Sequence, residues 1–198
     1  MDKEFYFTIE KTAQAQYRDR GSQFISFAFP IKATDDFKTR MAELKKEHPK
    51  ATHHCFAYRL GLDNNTFRSS DAGEPAGTAG KPILGQIDSR ELTDILIVVV
   101  RYFGGTLLGV PGLIQAYKSS ASMVLQLVPV VKKPIEKKHH LLFDYSRFNE
   151  ILAVLRQSNC SVISQELQLF CTMEIGVPVN RQQEVIYKLE AIPTVQVD

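Results

Sequence analysis

The chain has 198 residues, 44% of them hydrophobic, and a formal charge of +2 at neutral pH, enough to bury one large core or two small ones without staples. Cys55, Cys160 and Cys171 are odd in number, widely spaced and free of any CxxC pair, which argues against a secreted disulfide scaffold or a structural zinc site and for a reducing compartment. The N-terminus is charged at once and the longest apolar run, Ile95 to Val100, is too short to cross a bilayer, so a cytoplasmic protein with no membrane partner is expected.

Residues 4–10 and 24–31 alternate and are rich in Phe and Ile, which predicts two strands joined by the polar, glycine-bearing stretch AQYRDRGS. Thr34 is placed to cap a helix in which Phe37, Met41 and Leu44 recur at helical spacing until Pro49. Strands are expected at 55–61 and around 66–69, then a short helix from about 80 to 90. DILIVVVRYF, 94–103, is a continuous β-branched run that has to be buried on both faces, and so a central strand. A long helix follows, with Leu113, Tyr117, Ala121, Val124, Leu125 and Val128 spaced to cover the sheet, and Pro129 ends it.

From 131 onward the pattern reads strand, helix, strand, strand, helix, strand, with Ser146 and Asn180 placed to cap the helices. That order is β-α-β-β-α-β, the split arrangement of ferredoxin-like domains. The predicted class is therefore α+β in two domains, 1–130 with order β-β-α-β-β-α-β-α and 131–198 ferredoxin-like. Residues 1–130 carry a net +2 and 131–198 none. Charge by itself does not announce nucleic acid, and the lysine-rich KKPIEKK at 132–138 reads first as a solvated linker or strand edge.

Chemistry is expected at two glycine-rich segments. SSDAGEPAGTAGKPILG holds Gly73, Gly77, Gly80 and Gly85, and glycine at that density lets backbone approach a ligand or another chain closely. Its Thr78-Ala79-Gly80-Lys81-Pro82 has the form of a capped helix start, with free amides and the Lys81 charge at the positive end of the helix dipole, a usual way to hold phosphate or carboxylate. RYFGGTLLGVPG repeats the logic, with Arg101 as a bidentate fork and Gly104 and Gly105 in the turn. Neither segment is a P-loop or a GxGxxG fingerprint, and tight strand-to-helix packing explains the same glycines about as well.

Other residues weigh less. His53 and His54 are adjacent, so on a strand they face opposite sides and cannot share a metal. Asp71 and Glu74 have the chemistry to bind magnesium or to act as acid and base, although carboxylates in such a loop more often stabilise turns. No metal site or cofactor is expected, and His54, Asp71 and Glu74 stand as the weak catalytic candidates.

HHCFAYRLG, SSDAGEPAGTAGKPIL and VVVRYFGGTLLG, in this order and at these spacings, resemble the YigZ/IMPACT family, here in its bacterial form. The likeness runs from roughly Arg20 to Pro129, and the remainder is similar to the extra domain of bacterial members. It implies a first domain like domain 2 of a small-subunit ribosomal protein and a second like the last domain of elongation factor G. It also implies a role in translation regulation with RNA or the ribosome as partner. Matching positions include His53, His54, Arg59, Arg68, Asp71, Glu74, Gly77, Thr78, Gly80, Lys81, Arg101, Gly104 and Gly105. Three positions depart from the family's GSRF, SDDGEP and GLVRAY, where this chain has Gln23, Ala72 and Gln115.

Two functions follow. The first is a non-enzymatic, translation-associated protein that sets a glycine-rich anion-binding surface, with Arg59, Arg68, Lys81 and Arg101, on structured RNA or the ribosome. The second is an enzyme acting on a small phosphorylated or carboxylated substrate, with Glu74 or His54 as general base. Binding is the stronger expectation, because it needs only phosphate-complementary cations and amides, whereas a reaction needs a nucleophile and base whose mutual geometry a sequence does not give.

Overall fold

A computed structural model describes residues 3–63, 65–168 and 170–198. The chain divides into two compact units, Tyr6–Lys133 and Pro134–Asp198 together with the N-terminal residues up to Phe5.

The first unit contains β1 (Phe5–Ile9), β2 (Ala13–Asp19), β3 (Ser22–Pro30), α1 (Thr34–Glu47), β4 (His53–Leu60), β5 (Thr66–Ser70), α2 (Gly80–Asp88), β6 (Ile95–Tyr102) and α3 (Gly109–Leu127). A five-stranded sheet of order β2-β3-β6-β4-β5 is antiparallel throughout. Helix α1 covers one face, against Phe27, Phe56, Tyr58, Leu96 and Val98, while α2 and α3 cover the other, against Phe24, Cys55, Ile97 and Val99. An antiparallel sheet usually leaves one face to water. Here both are covered, which is why Ile95 to Val100 are all fully buried and read as one unbroken apolar run. Each such side chain contributes about 1.5–3 kcal/mol on burial.

One strand was hidden in the sequence. The stretch expected to be a polar connection contains β2, which pairs with β3 from Ala13↔Ala28 to Asp19↔Ser22 around a tight turn at Arg20 and Gly21. It is an edge strand, with Gln14, Gln16 and Arg18 outward and only the small Ala13 and Ala15, with Tyr17, inward, so its alternation carries little apolar weight. The first predicted strand, β1, instead pairs with β7 (Val130–Pro134).

The second unit contains β8 (Glu136–Phe143), α4 (Phe148–Gln157), β9 (Ser161–Glu166), β10 (Cys171–Pro178), α5 (Gln182–Glu190) and β11 (Gln196–Val197). Its sheet order is β11-β8-β10-β9, and Leu141, Phe143, Met173 and Ile175 face Ile151, Leu155, Val185 and Leu189 of the helices. The expected helix caps differ in chemistry. Thr34 does not cap α1. Its backbone entry is held by the Asp36 carboxylate, which accepts from the amides of Lys32 and Ala33 at 2.7 and 3.0 Å. Ser146 and Asn180 lie in single 3-10 turns that lead into α4 and α5, and neither side chain caps its helix.

Among the described residues, no helix is long and apolar enough to cross a membrane.

Candidate functional site

The segment between β5 and α2 folds around Asp71. Its Oδ2 accepts from the amide of Gly77 at 2.8 Å, and its Oδ1 accepts from Ala79 at 2.9 Å and Gly80 at 2.8 Å. The amides at the start of α2, expected to meet an external anion, meet a carboxylate of their own chain. Burial opposes ionisation of Asp71, yet the amides of Gly77, Gly80 and Ala79 and the Lys81 charge outweigh it and hold the carboxyl below the ordinary aspartate range. The Thr78 hydroxyl, expected as the cap, instead donates to the carbonyl of Pro75 at 2.7 Å. Gly80 is required by packing: a Cβ there would lie 2.7 Å from the amide nitrogen of Ser70 on β5.

Glu74 comes next along the same loop and is the hub of a buried cluster. Its Oε1 accepts from Nη1 of Arg101 at 2.6 Å and from the Tyr117 hydroxyl of α3 at 2.7 Å. The Glu74 and Arg101 side chains are 4% and 6% exposed. Nη2 of Arg101 donates to the Ser22 hydroxyl at 3.3 Å, and the guanidinium lies 5.4 Å from the ring centroid of Phe24 and 5.6 Å from that of Phe103. The Cys55 thiol lies 3.0 Å from the carbonyl oxygen of Asp71 and 3.3 Å from the Tyr117 hydroxyl. Burial pushes that thiol up to about 12, opposed by the Tyr117 hydroxyl and reinforced by the carboxylates of Glu74 and Asp71. Burial also raises Tyr117 well above the phenol range, with Cys55 and Glu74 adding to it. Both groups therefore keep their protons at neutral pH and act as donors.

His53 stands directly across from Arg101 in the β4–β6 register and turns the same way. Its Nδ1 is 2.9 Å from the carbonyl oxygen of Ala72, which fixes the proton on Nδ1 and leaves Nε2 facing Glu74 Oε1 at 3.8 Å. Ala72 presents that carbonyl from a left-handed conformation, φ 48°, where an L side chain is strained by about 1–2 kcal/mol. Replacing it as Ala72→Gly should raise stability by about 1 kcal/mol, measured as an increased urea midpoint at unchanged slope.

Above this polar floor is a cavity of about 410 Å³. Thr52, His53, Glu74 and Arg101 supply its polar lining, and Pro75, Phe103, Leu107, Leu108, Val110 and Leu113 its apolar walls. Phe103, Leu107 and Val110 are 46%, 82% and 51% exposed, so the mouth is hydrophobic and open to solvent. The loop that carries them is held by backbone packing. Gly104 touches Gly21 of the β2–β3 turn so closely that a Cβ would sit 1.9 Å from the Gly21 carbonyl carbon, and its amide donates to the Ser22 hydroxyl at 3.2 Å. Gly105 follows at φ 86° with open space around it. Gly80 and Gly104 thus bring backbone against backbone.

The predicted cations do not converge. Arg59 lies six residues along β4 from His53, about 20 Å at strand spacing, and both its Nε and Nη2 bond Asp88 at the end of α2. Arg68, on β5, lies over the ring of Phe56, which packs on the α1 side of the sheet. His54 also belongs to the α1 side, where burial lowers its pKa against a backbone bond at Leu44 that raises it, so it is remote from Glu74 as a base. Arg101 is neutralised by Glu74, and Lys81 is exposed on the first turn of α2. The three departures from the family pattern are also scattered. Gln23 shares the α1 face with Ile25, Gln115 donates to the Ser119 hydroxyl on α3, and Ala72 adjoins His53.

Sequence reading set His53 aside and missed Tyr117 and Ser22. The parity of β4 places His53 on the same side as Cys55 and Ala57, which pack under the helices. Tyr117 was read as apolar cover for the sheet, yet a phenol at that depth needs a partner for its hydroxyl.

The family model described as "Impact N-terminal domain" matches residues 20–125, the stretch that contains both glycine-rich segments. The chain is 34% identical over 170 residues to the IMPACT family member YigZ of Escherichia coli (strain K12), covering 85% of this chain and 83% of that protein. It is 36% identical over 153 residues to YvyE of Bacillus subtilis (strain 168), covering 77% and 70%. A crystal structure of a hypothetical protein, 30% identical, superposes with a TM-score of 0.77 over 98% of this chain and 97% of that one. With a family model over residues 20–125 and relatives more than 30% identical over most of their length, the chain belongs to the IMPACT family.

Proposed function

We propose that this chain is a non-enzymatic, translation-associated binding protein that contacts RNA or the ribosome through the loop surface around the cavity of its first unit. Family membership supplies the translation context. The observation that favours binding over catalysis is that Glu74 Oε1 already holds two short bonds, from Arg101 and Tyr117. The groups that would do chemistry are spent on one another: the carboxylate is paired and the thiol is protonated and buried. A second reading, an enzyme acting on a small phosphorylated or carboxylated substrate, draws support from His53 Nε2 beside Glu74 at the floor of the cavity. The cancelled charge of Arg101 argues against an anionic substrate there.

The RNA reading is tested by co-sedimentation with ribosomes and by ribosomal RNA binding across a salt series. Lys81→Ala, at an exposed site, should weaken binding and lower the salt slope by about 1, the share of one phosphate contact. Arg68→Ala, on the α1 side, should leave binding as it is. Equal affinity and slope for wild type and Lys81→Ala would remove Lys81 from the contact surface, and no binding at low salt would end the RNA reading.

A further inference from the structure

Exposed apolar side chains gather at the loop end of the first unit. Phe103, Leu107 and Val110 line the mouth of the cavity, and all three are exposed. Ile114, also exposed, stands one turn after Val110 on the same face of α3, so the apolar surface runs on from the mouth along the helix. An apolar patch rimmed by polar residues marks a place where another molecule docks. The rim here has one sign. The β2–β3 turn brings Arg20 to the mouth, because Gly21 lies against Gly104. The connection from α1 to β4 brings Lys50, because Thr52 lines the cavity and its hydroxyl accepts from the Phe103 amide at 3.2 Å. Arg20 and Lys50 are exposed, and among the described residues neither makes an ion pair. The carboxylates on the loops around the mouth are Asp71 and Glu74, one spent on three amides and the other on Arg101 and Tyr117. Just outside these loops Asp19 and Glu47 stand beside Arg18, Lys45 and Lys46, so the local charge stays positive.

We propose that this loop end docks an acidic segment of a partner protein, a short amphipathic stretch whose leucine or phenylalanine side chains seat on Leu107, Val110 and Ile114 while its carboxylates face Arg20 and Lys50. Charge and side-chain type decide among the occupants. A second copy joined through this patch would set the same positive loops against each other. RNA phosphates suit the cations, but unpaired bases are held by stacking on aromatic rings, and Leu107, Val110 and Ile114 are aliphatic. An acidic segment with apolar anchors satisfies both parts, since the anchors supply affinity as they leave water and the carboxylates add rate and selectivity. The inference rests on the ribosome reading above for the source of the segment, a protein of the translation machinery. It uses Arg20, Lys50 and Leu107, not the Lys81 on which the RNA contact is tested.

Fluorescence anisotropy on the full chain tests it with a fluorescein-labelled peptide in which leucine and phenylalanine are flanked on both sides by glutamates. Control peptides carry lysines in place of the glutamates, or serines in place of the apolar pair. The acidic peptide should bind better than either control and weaken as salt rises. Leu107→Asp should lose about tenfold in affinity, the share of one apolar anchor, and Lys50→Glu about threefold, with a shallower salt dependence. Both positions are exposed, so both variants keep the fold, which circular dichroism verifies. No binding at about 1 mM peptide, or equal affinity for wild type and both variants, overturns the proposal. Ribosome co-sedimentation without peptide binding removes the docking site and leaves the ribosome reading standing. Peptide binding without co-sedimentation keeps the docking site and removes its ribosomal source. If wild type binds single-stranded RNA or phosphatidylserine vesicles but not the peptide, and both variants lose that binding, the surface belongs to RNA or to a bilayer and the proposal fails.

Discussion

Glu74→Ala should destabilise the first unit by about 3–5 kcal/mol, because it strands the Arg101 guanidinium, 6% exposed, without its carboxylate. The Tyr117 hydroxyl loses its acceptor in the same step, since both donors converge on Oε1. Arg101→Ala should cost a similar amount from the other side, which makes it unsuitable as a probe of RNA contact. A different outcome is expected when the whole network is made apolar. The triple variant Glu74→Leu, Arg101→Met, Tyr117→Phe removes every member and should recover most of the loss, because a well-packed apolar replacement is often neutral or better than a buried ion pair. Urea unfolding followed by circular dichroism decides the matter. A Glu74→Ala loss under about 1 kcal/mol would mean the pair behaves as a solvated one.

Asp71→Ala should cost about 3 kcal/mol, since one carboxylate accepts three amides at the entry to α2. The loss has a pH signature. Asp71 ionises more readily folded than unfolded, so its contribution is complete above the unfolded aspartate value of about 3.9 and is lost as pH falls through its lower folded value. Wild type and Asp71→Ala should therefore differ most at neutral pH and approach each other in acid. A gap that stays constant from neutral pH to strong acid would show that the carboxylate charge is not the cause. Asp71→Asn should be intermediate, because an amide group keeps one oxygen but turns a donor toward the remaining N–H.

The elements with strong periodicity were legible before any coordinates. Ile95 to Val100 announced a strand buried on both sides, and the spacing of Leu113, Tyr117, Ala121 and Val124 announced the helix that lies on it. Weak alternation hid β2, whose inward residues are mostly alanines, and local cap rules misassigned the entries to α1, α2, α4 and α5. The reason is the same in each case. An edge strand of small residues and a cap drawn from another segment take their energy from partners distant in the chain, and those partners leave no local pattern.

HHCFAYRLG and the two glycine-rich segments, in their order and spacing, were enough by themselves to identify the family. Only tertiary structure decided what their charged groups do. It placed Asp71 on the α2 amides, Glu74 on Arg101, and Arg59 on Asp88, turning expected anion receptors into internally paired groups. Charge pairing depends on which side chains fold to within hydrogen-bond distance, and residues such as Glu74 and Tyr117, 43 positions apart, meet only because β6 lies in the middle of the sheet with α3 packed across it.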